Sequence, residues 1–278
     1  MYPKLFSFGP FTVYSFGLML GIGFICANMI LASEMKRKKL DANAAQTITM
    51  FAVIFGIAGS KILYLIENWN VFINAPMEMA FSPGGLTWYG GFFLATLMIY
   101  FYVRYRKISF LMTADAASPA IALAYGIARI GCHLSGDGDY GIPTNLPWAA
   151  VYSKGTYPPS AAFREIPELV QKYGVHGFVP DTIPVHPVPV YEFIMGVIIF
   201  FILWKLRAKE WKSGAVFMLF LILSGTARFL AETIRINPRI LWGMSEAQIL
   251  SIPLVIIGII GFSKLSKKPE LVTVPAAE

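Results

Sequence analysis

Charge is what this chain has least of. Only 14% of its 278 residues are Asp, Glu, Lys or Arg, while 56% are hydrophobic. Soluble domains carry about 25% charged and about 45–50% apolar residues. Half the usual charge cannot coat a globule of this length, which argues against a water-soluble enzyme, and the mean hydropathy of +0.60 agrees. Cysteine is nearly absent: Cys26 and Cys132, both in apolar stretches, make no disulfide framework and read as small buried hydrophobes. Histidine is scarce too. Only His133 falls within an apolar run, His176 and His186 lying outside, which gives no support to a haem held by axial ligands. The net charge of +7 does not imply nucleic acid. The basic residues sit in short runs between apolar stretches and not on one folded face.

What the chain does have is apolar runs of about 20 residues, the length that crosses roughly 30 Å of hydrocarbon. Seven are expected, near 11–33, 44–66, 84–103, 112–135, 188–206, 213–234 and 246–265. The first outruns the apolar part of a signal peptide and has no small-residue cleavage site before its flanking charges, so it is expected to be retained. Basic residues fill the connections after the first (Lys36, Arg37, Lys38, Lys39), third (Arg104, Arg106, Lys107) and fifth (Lys205, Arg207, Lys209, Lys212) spans. They recur in the tail (Lys264, Lys267, Lys268), whereas 67–83 holds none. Positive charge marks the cytoplasmic side. The expected architecture is an all-α polytopic membrane protein with its N-terminus outside and its C-terminus cytoplasmic. A single transmembrane domain covers 1–265, and a disordered tail covers 266–278. Segment 137–187, rich in Pro, Gly and Tyr, forms a head on the outer face. Within it, Phe163, Ile166, Leu169 and Val170 recur at helical spacing over Ala161–Tyr173, the pattern of a short amphipathic helix on the outer leaflet, with a mobile loop as the alternative.

An Arg at the bilayer centre costs about 2.5–3.5 kcal/mol, so charges in spans need partners and mark candidate sites. Arg228 and Glu232 are i, i+4 neighbours at the outer end of the sixth span. A guanidinium steadied by a carboxylate offers forked donors to a phosphate; a snorkelling Arg in a structural ion pair is the plainer reading. The segment Gly126–Gly141 carries Arg129, Gly131, Cys132, His133, Asp137, Asp139 and Gly141 from the fourth span into the head. Its Asp pair could hold a divalent cation, but two carboxylates are a thin donor set and no metal is expected. Gly84-Gly85-Leu86-Thr87-Trp88-Tyr89-Gly90-Gly91 opens the third span, with glycines suited to close approach and aromatics suited to the interface. Lys61, after Gly56, Gly59 and Ser60, is either another cation of the site or a snorkelling side chain. Clustered cations at headgroup depth suggest an anionic phospholipid. A transporter would gather ionisable groups near the midplane.

These segments resemble the bacterial prolipoprotein diacylglyceryl transferase family over about residues 1–265. The resemblance rests on Phe16-Gly17-Leu18-Met19, the Gly84–Gly91 and Gly126–Gly141 segments, His186-Pro187-Val188-Pro189-Val190-Tyr191-Glu192, and Gly225-Thr226-Ala227-Arg228 with Glu232. It implies an enzyme that moves the sn-1,2-diacylglyceryl group of phosphatidylglycerol to the lipobox cysteine thiol of a prolipoprotein. Glycerol-1-phosphate leaves, without metal or soluble cofactor, at the outer leaflet of the bacterial cytoplasmic membrane. It implies that Arg129 and Arg228 bind the phosphate, Glu232 positions Arg228, Gly141 shapes the headgroup pocket and Glu192 orients cations. Tyr89 joins them as a catalytic candidate, and Lys61, Gly85, Gly131, Cys132, His133 and Asp137 as substrate-binding ones. Three positions depart from the pattern. Tyr89 stands where many members have a His taken as the base, and Tyr ordinarily ionises near pH 10. Cys132 replaces an amide donor with a weak thiol, and Phe16 replaces a Tyr. The proton acceptor stays open among Tyr89, His133 and Asp137. A phospholipid-binding or lipid-moving protein without thiol chemistry is the alternative.

Overall fold

A computed structural model describes residues 1–267 apart from Pro10 and Pro83. A hairpin of β1 (Lys4–Phe8) and β2 (Phe11–Tyr14) leads into α1 (Ser15–Arg37) and α2 (Ala44–Glu67). Two short helices, α3 (Trp69–Phe72) and α4 (Pro76–Phe81), precede α5 (Trp88–Tyr105) and α6 (Phe110–Ser135). The next segment holds β3 (Ala150–Val151), α7 (Pro159–Ala162), α8 (Pro167–Tyr173) and β4 (Pro184–Val185). The chain closes with α9 (Val188–Leu206), α10 (Ala215–Glu232), β5 (Arg239–Leu241), β6 (Met244–Ser245) and α11 (Glu246–Leu265). Consecutive strands pair antiparallel as three separate two-stranded ribbons.

Among the described residues, α1, α2, α6, α9, α10 and α11 are long and apolar enough to cross a membrane. Large apolar side chains such as Ile54, Ile57, Phe201, Ile256 and Ile259 stand exposed along them. Apolar faces of this extent suit hydrocarbon and not water, and the protein is a multi-pass membrane protein. Seven spans were expected and six helices meet both criteria. The expected third span, 84–103, is the helix α5, which starts later because Gly85 takes φ +71 before it. Its 18 residues reach about 27 Å, but Trp88, four Tyr residues and Arg104 leave it less apolar. The tail beyond Lys267 lies outside the described residues.

The chain divides into two compact units, Met1–Ala27 with Ala117–Glu278, and Asn28–Ala116. The second unit centres on α2 against α5. A Cβ on Gly59 would strike the Gly90 carbonyl, one on Gly90 would strike the Gly59 carbonyl, and one on Gly91 would stand 2.5 Å from the Gly56 carbonyl. The glycines thus bring the two backbones together. The first unit packs α6, α9 and α10 around Ala122, Ile199, Leu203 and Val216.

In the same unit, the segment after α6 builds a small core of its own from Tyr140, Tyr152, Phe163, Val179 and Val185. The single helix expected over Ala161–Tyr173 is broken into α7 and α8. Pro167 cannot continue a helix and pushes Ile166 out of helical geometry. Phe163 is fully buried, and Ile166, Leu169 and Val170 pack on that core. The apolar stripe therefore serves the protein's own interior and not a leaflet.

Candidate active site

Three arginines and three carboxylates converge in the first unit where α6, α9 and α10 end. Glu192, just past the first turn of α9 and 1% exposed, is the hub. Arg228 Nη1 donates to its Oε1 at 2.9 Å, Arg235 Nη1 to its Oε2 at 3.2 Å, and the Tyr125 hydroxyl to Oε1 at 2.5 Å. Arg129 Nε lies 3.5 Å from Oε2. Glu232, fully buried, pairs with Arg228 Nη2 at 2.7 Å and accepts from Asn237 Nδ2 and the Ser245 hydroxyl. Asp139 accepts from Arg129 with one oxygen and from Arg235 with the other. Buried charges persist only when paired this way.

Local structure explains how these groups meet. Tyr125 and Arg129 are one turn apart on α6, and the guanidinium lies 4.8 Å from the Tyr125 ring centroid. Arg228 and Glu232 share a face of α10 at i, i+4. Arg235 and Asp139 lie in irregular chain brought together at Gly141. Gly141 N–H donates to the His186 carbonyl at 2.9 Å, and Ile142 N–H donates to the Ile234 carbonyl at 3.0 Å. A Cβ on Gly141 would stand 2.9 Å from Val188 Cγ2 and 3.0 Å from His186 Cβ. Only glycine lets the three segments come this close.

Exposure separates the arginines. The Arg235 side chain is 6% exposed, against 18% for Arg129 and 28% for Arg228. Arg235 braces the carboxylates, while the other two keep part of their guanidinium surface exposed. Burial alone would raise Asp139, but Arg235 and then Arg129 hold it below the usual carboxylate range. Asp137, two residues earlier, is exposed. Removal of part of its hydration, and then the Asp139 charge, push it upward. Cys132 Sγ and oxygens of Asp137 and Asp139 lie within 4.8 Å of one another. Both Asp139 oxygens already face guanidinium groups, whose charge opposes a cation there.

The structure brings together Arg129, Arg228, Glu232 and Glu192, with Gly141 beneath them. Cys132 is buried, with Sγ 3.9 Å from Arg129 Nη1. His133 Nδ1 is 2.8 Å from the Tyr152 hydroxyl. Gly131 serves packing: a Cβ there would stand 3.1 Å from Met19 Cβ and 3.2 Å from Phe16 Cα. Lys61, Gly85 and Tyr89 belong to the second unit. Lys61 Nζ donates to the Ser82 carbonyl, the Ser82 hydroxyl and the Gly84 carbonyl, all within 2.9 Å, contacts that match its three N–H donors. A Cβ on Gly85 would strike the Tyr64 ring. Tyr89 sits edge-on to Trp88 in the first turn of α5.

Sequence reasoning passed over Arg235, Tyr125 and the role of Asp139. The i, i+3 spacing of Glu232 and Arg235 and the i, i+4 spacing of Tyr125 and Arg129 were the available signals. In the cluster, carboxylates match arginines one for one.

Comparison with known proteins adds an independent observation. Residues 3–263 match the family model described as prolipoprotein diacylglyceryl transferase. A Clostridium tetani protein named phosphatidylglycerol–prolipoprotein diacylglyceryl transferase is 30% identical over 265 residues, covering 95% of this chain and 97% of its own. Proteins of the same name from Vibrio cholerae (31% identical; 93% and 89% covered) and Leptospira interrogans (30%; 88% and 77%) are also similar. With a family model spanning nearly all of its length, this chain belongs to the prolipoprotein diacylglyceryl transferase family.

Proposed function

We propose that this protein transfers the diacylglyceryl group of phosphatidylglycerol to the lipobox cysteine thiol of a prolipoprotein, at the cluster formed by Arg129, Arg228 and Glu192. The observation that carries this reading is the pair of part-exposed guanidinium groups held by buried carboxylates. Arg228 gives one nitrogen to Glu192 and another to Glu232, and its remaining N–H donors are fixed in direction. The cluster is charge-balanced, so an incoming phosphodiester adds one negative charge among donors that need no reorientation. Such donors stabilise the charge that grows on a departing phosphate. The sulfur bonds to the glyceryl carbon, the carbon–oxygen bond to phosphate breaks, and glycerol-1-phosphate leaves with the electron pair.

The site faces the outer leaflet of the bacterial cytoplasmic membrane, in keeping with the basic residues gathered at the opposite ends of the spans. Lys61, within the second unit, holds the chain at Ser82 and Gly84. The test uses the full chain in vesicles of phosphatidylglycerol with a lipobox peptide. Mass spectrometry is expected to find a thioether-linked diacylglyceryl product. R129A and R228A are each expected to lose about 100-fold or more of it while still inserting. Lipid bound but never consumed would overturn the transferase in favour of a lipid-binding protein.

A further inference from the structure

We propose that Ser245, with Asn237, is a positioning residue for the transfer: it fixes the Glu232 carboxylate and, through it, the aim of Arg228. This rests on the transferase reading. Glu232 is the last residue of α10 and is fully buried. Its two oxygens face different partners. Oε1 pairs with Arg228 Nη2 at 2.7 Å. Oε2 accepts from the Ser245 hydroxyl at 2.7 Å, and Asn237 Nδ2 spans both oxygens at 2.9 Å. Arg235 Nε lies 3.2 Å from Oε1 but makes no hydrogen bond there, so it does not set the plane of the carboxylate. The donors that do are neutral. They satisfy oxygens that burial takes from water without adding positive charge, and the carboxylate charge is left to the arginines.

Ser245 is engaged from two sides. It is 1% exposed and caps α11. Its oxygen accepts from the Gln248 N–H at 3.3 Å, and its own N–H donates to Gln248 Oε1 at 3.0 Å, the reciprocal pair of a capping box. A hydroxyl has a single hydrogen. With the oxygen turned to the helix N–H, that hydrogen is left for Glu232. The same residues close a ring. Gln248 Oε1 also accepts from Arg239 Nη1 at 2.8 Å, and Arg239 Nη2 donates to the Glu232 carbonyl at 2.9 Å. Arg239 and Ser245 are partners in the register of β5 and β6, so one ribbon holds both the carbonyl and the carboxylate of Glu232. Helix packing fixes the frame of that ring. A Cβ on Gly225 of α10 would stand 2.8 Å from Val255 Cγ2, and one on Gly258 of α11 would stand 2.9 Å from the Met218 carbonyl.

An i, i+4 ion pair by itself holds its side chains weakly. Here the carboxylate is gripped from behind, so Arg228 meets a fixed acceptor. Its Nη2 is committed to Glu232 and its Nη1 to Glu192, and these two bonds set the plane of the guanidinium. Misplacing a group that acts on the reacting centre by about 1 Å costs about 10²-fold in rate. Ser245 reaches the departing phosphate only through Glu232 and Arg228.

The experiment measures kcat and KM in phosphatidylglycerol vesicles with a lipobox peptide, per amount of inserted protein. S245A should lose about 10–50-fold in kcat, with KM for the peptide unchanged, and S245T, which keeps a hydroxyl, should recover most of the rate. S245G also lacks the hydroxyl, but glycine caps a helix almost as well as serine. It should therefore be as slow as S245A, whereas a residue that only caps α11 would be spared by this change. N237A should lose about fivefold to tenfold. In an E232A background the further cost of S245A should shrink below about threefold, because its target is gone. T233A, which removes only a bond to the Leu230 carbonyl, should match the wild type. A wild-type rate in S245G would show that Ser245 serves the cap alone and would overturn the proposal. An undiminished effect of S245A in the E232A background would overturn it too. Either result beside an inactive R228A leaves the transferase standing. No thioether from the wild type would sink both readings.

Discussion

Two helix contacts in this protein are made by opposite means. In the second unit, α2 and α5 meet over glycines, backbone against backbone, at Gly59 and Gly90. In the first unit, α6, α9 and α10 meet over buried charge at Glu192 and Glu232. A glycine seam needs only the absence of side chains, and its energy is spread over many weak contacts. A buried ion cluster needs every partner, because one missing carboxylate leaves a guanidinium uncompensated in a poor solvent for charge. Rigidity at the seam is therefore cheap and tolerant. At the cluster it is exacting, and it holds the guanidinium groups in place.

Substitutions can break either side of this contrast, and they should not be equivalent. Glu192→Ala strikes the hub, faced by three arginines, and should cost about 3–5 kcal/mol together with the activity. Denaturant titration in detergent checks this, and near-wild-type stability would show that Glu192 is not the hub. Asp139→Asn should cost less, about 1.5–3 kcal/mol, the scale of hydrogen bonds to charged groups, while Asp137→Asn should be close to neutral.

Acid should reproduce that asymmetry. Asp139 is depressed in the folded protein, so its contribution is complete above the unfolded carboxylate value near 3.9. It should be lost as pH falls below that value. Asp137 is raised, so its neutralisation as pH falls should relieve strain and not add to the loss. A Tm that drops between pH 6 and 5 in the wild type but not in Asp139→Asn would contradict this order.

The seam should give smaller effects. Gly90→Ala places a methyl group against the Gly59 carbonyl and should cost about 1–3 kcal/mol. Gly84→Ala, with open space around it, serves as the control, and equal melting curves for the two would refute a tight seam. Lys61→Met should have the least effect. It removes bonds to the chain at Ser82 and Gly84, worth about 0.5–1.5 kcal/mol, and should leave KM for phosphatidylglycerol alone. A raised lipid KM would instead make Lys61 a headgroup ligand.

Much of this protein was legible in its sequence. Hydropathy and length identify a membrane chain and place its long helices. The membrane cost of charge picks out Arg129, Arg228 and Glu232, and the motifs carry the family. These features are local: a run, a period or an i, i+4 pair is read within one helix. The partners of those charges are not local. Glu192 meets Arg228 across 36 residues and Arg235 across 43, and Asp139 meets Arg235 across 96. No periodicity links such positions, so spacing could not tell Asp139 from Asp137 or mark Arg235 as more than a loop residue. Sequence decided which residues are too costly to leave alone in a bilayer. Tertiary structure decided who compensates them, because compensation is a matter of distance and burial, which only packing sets.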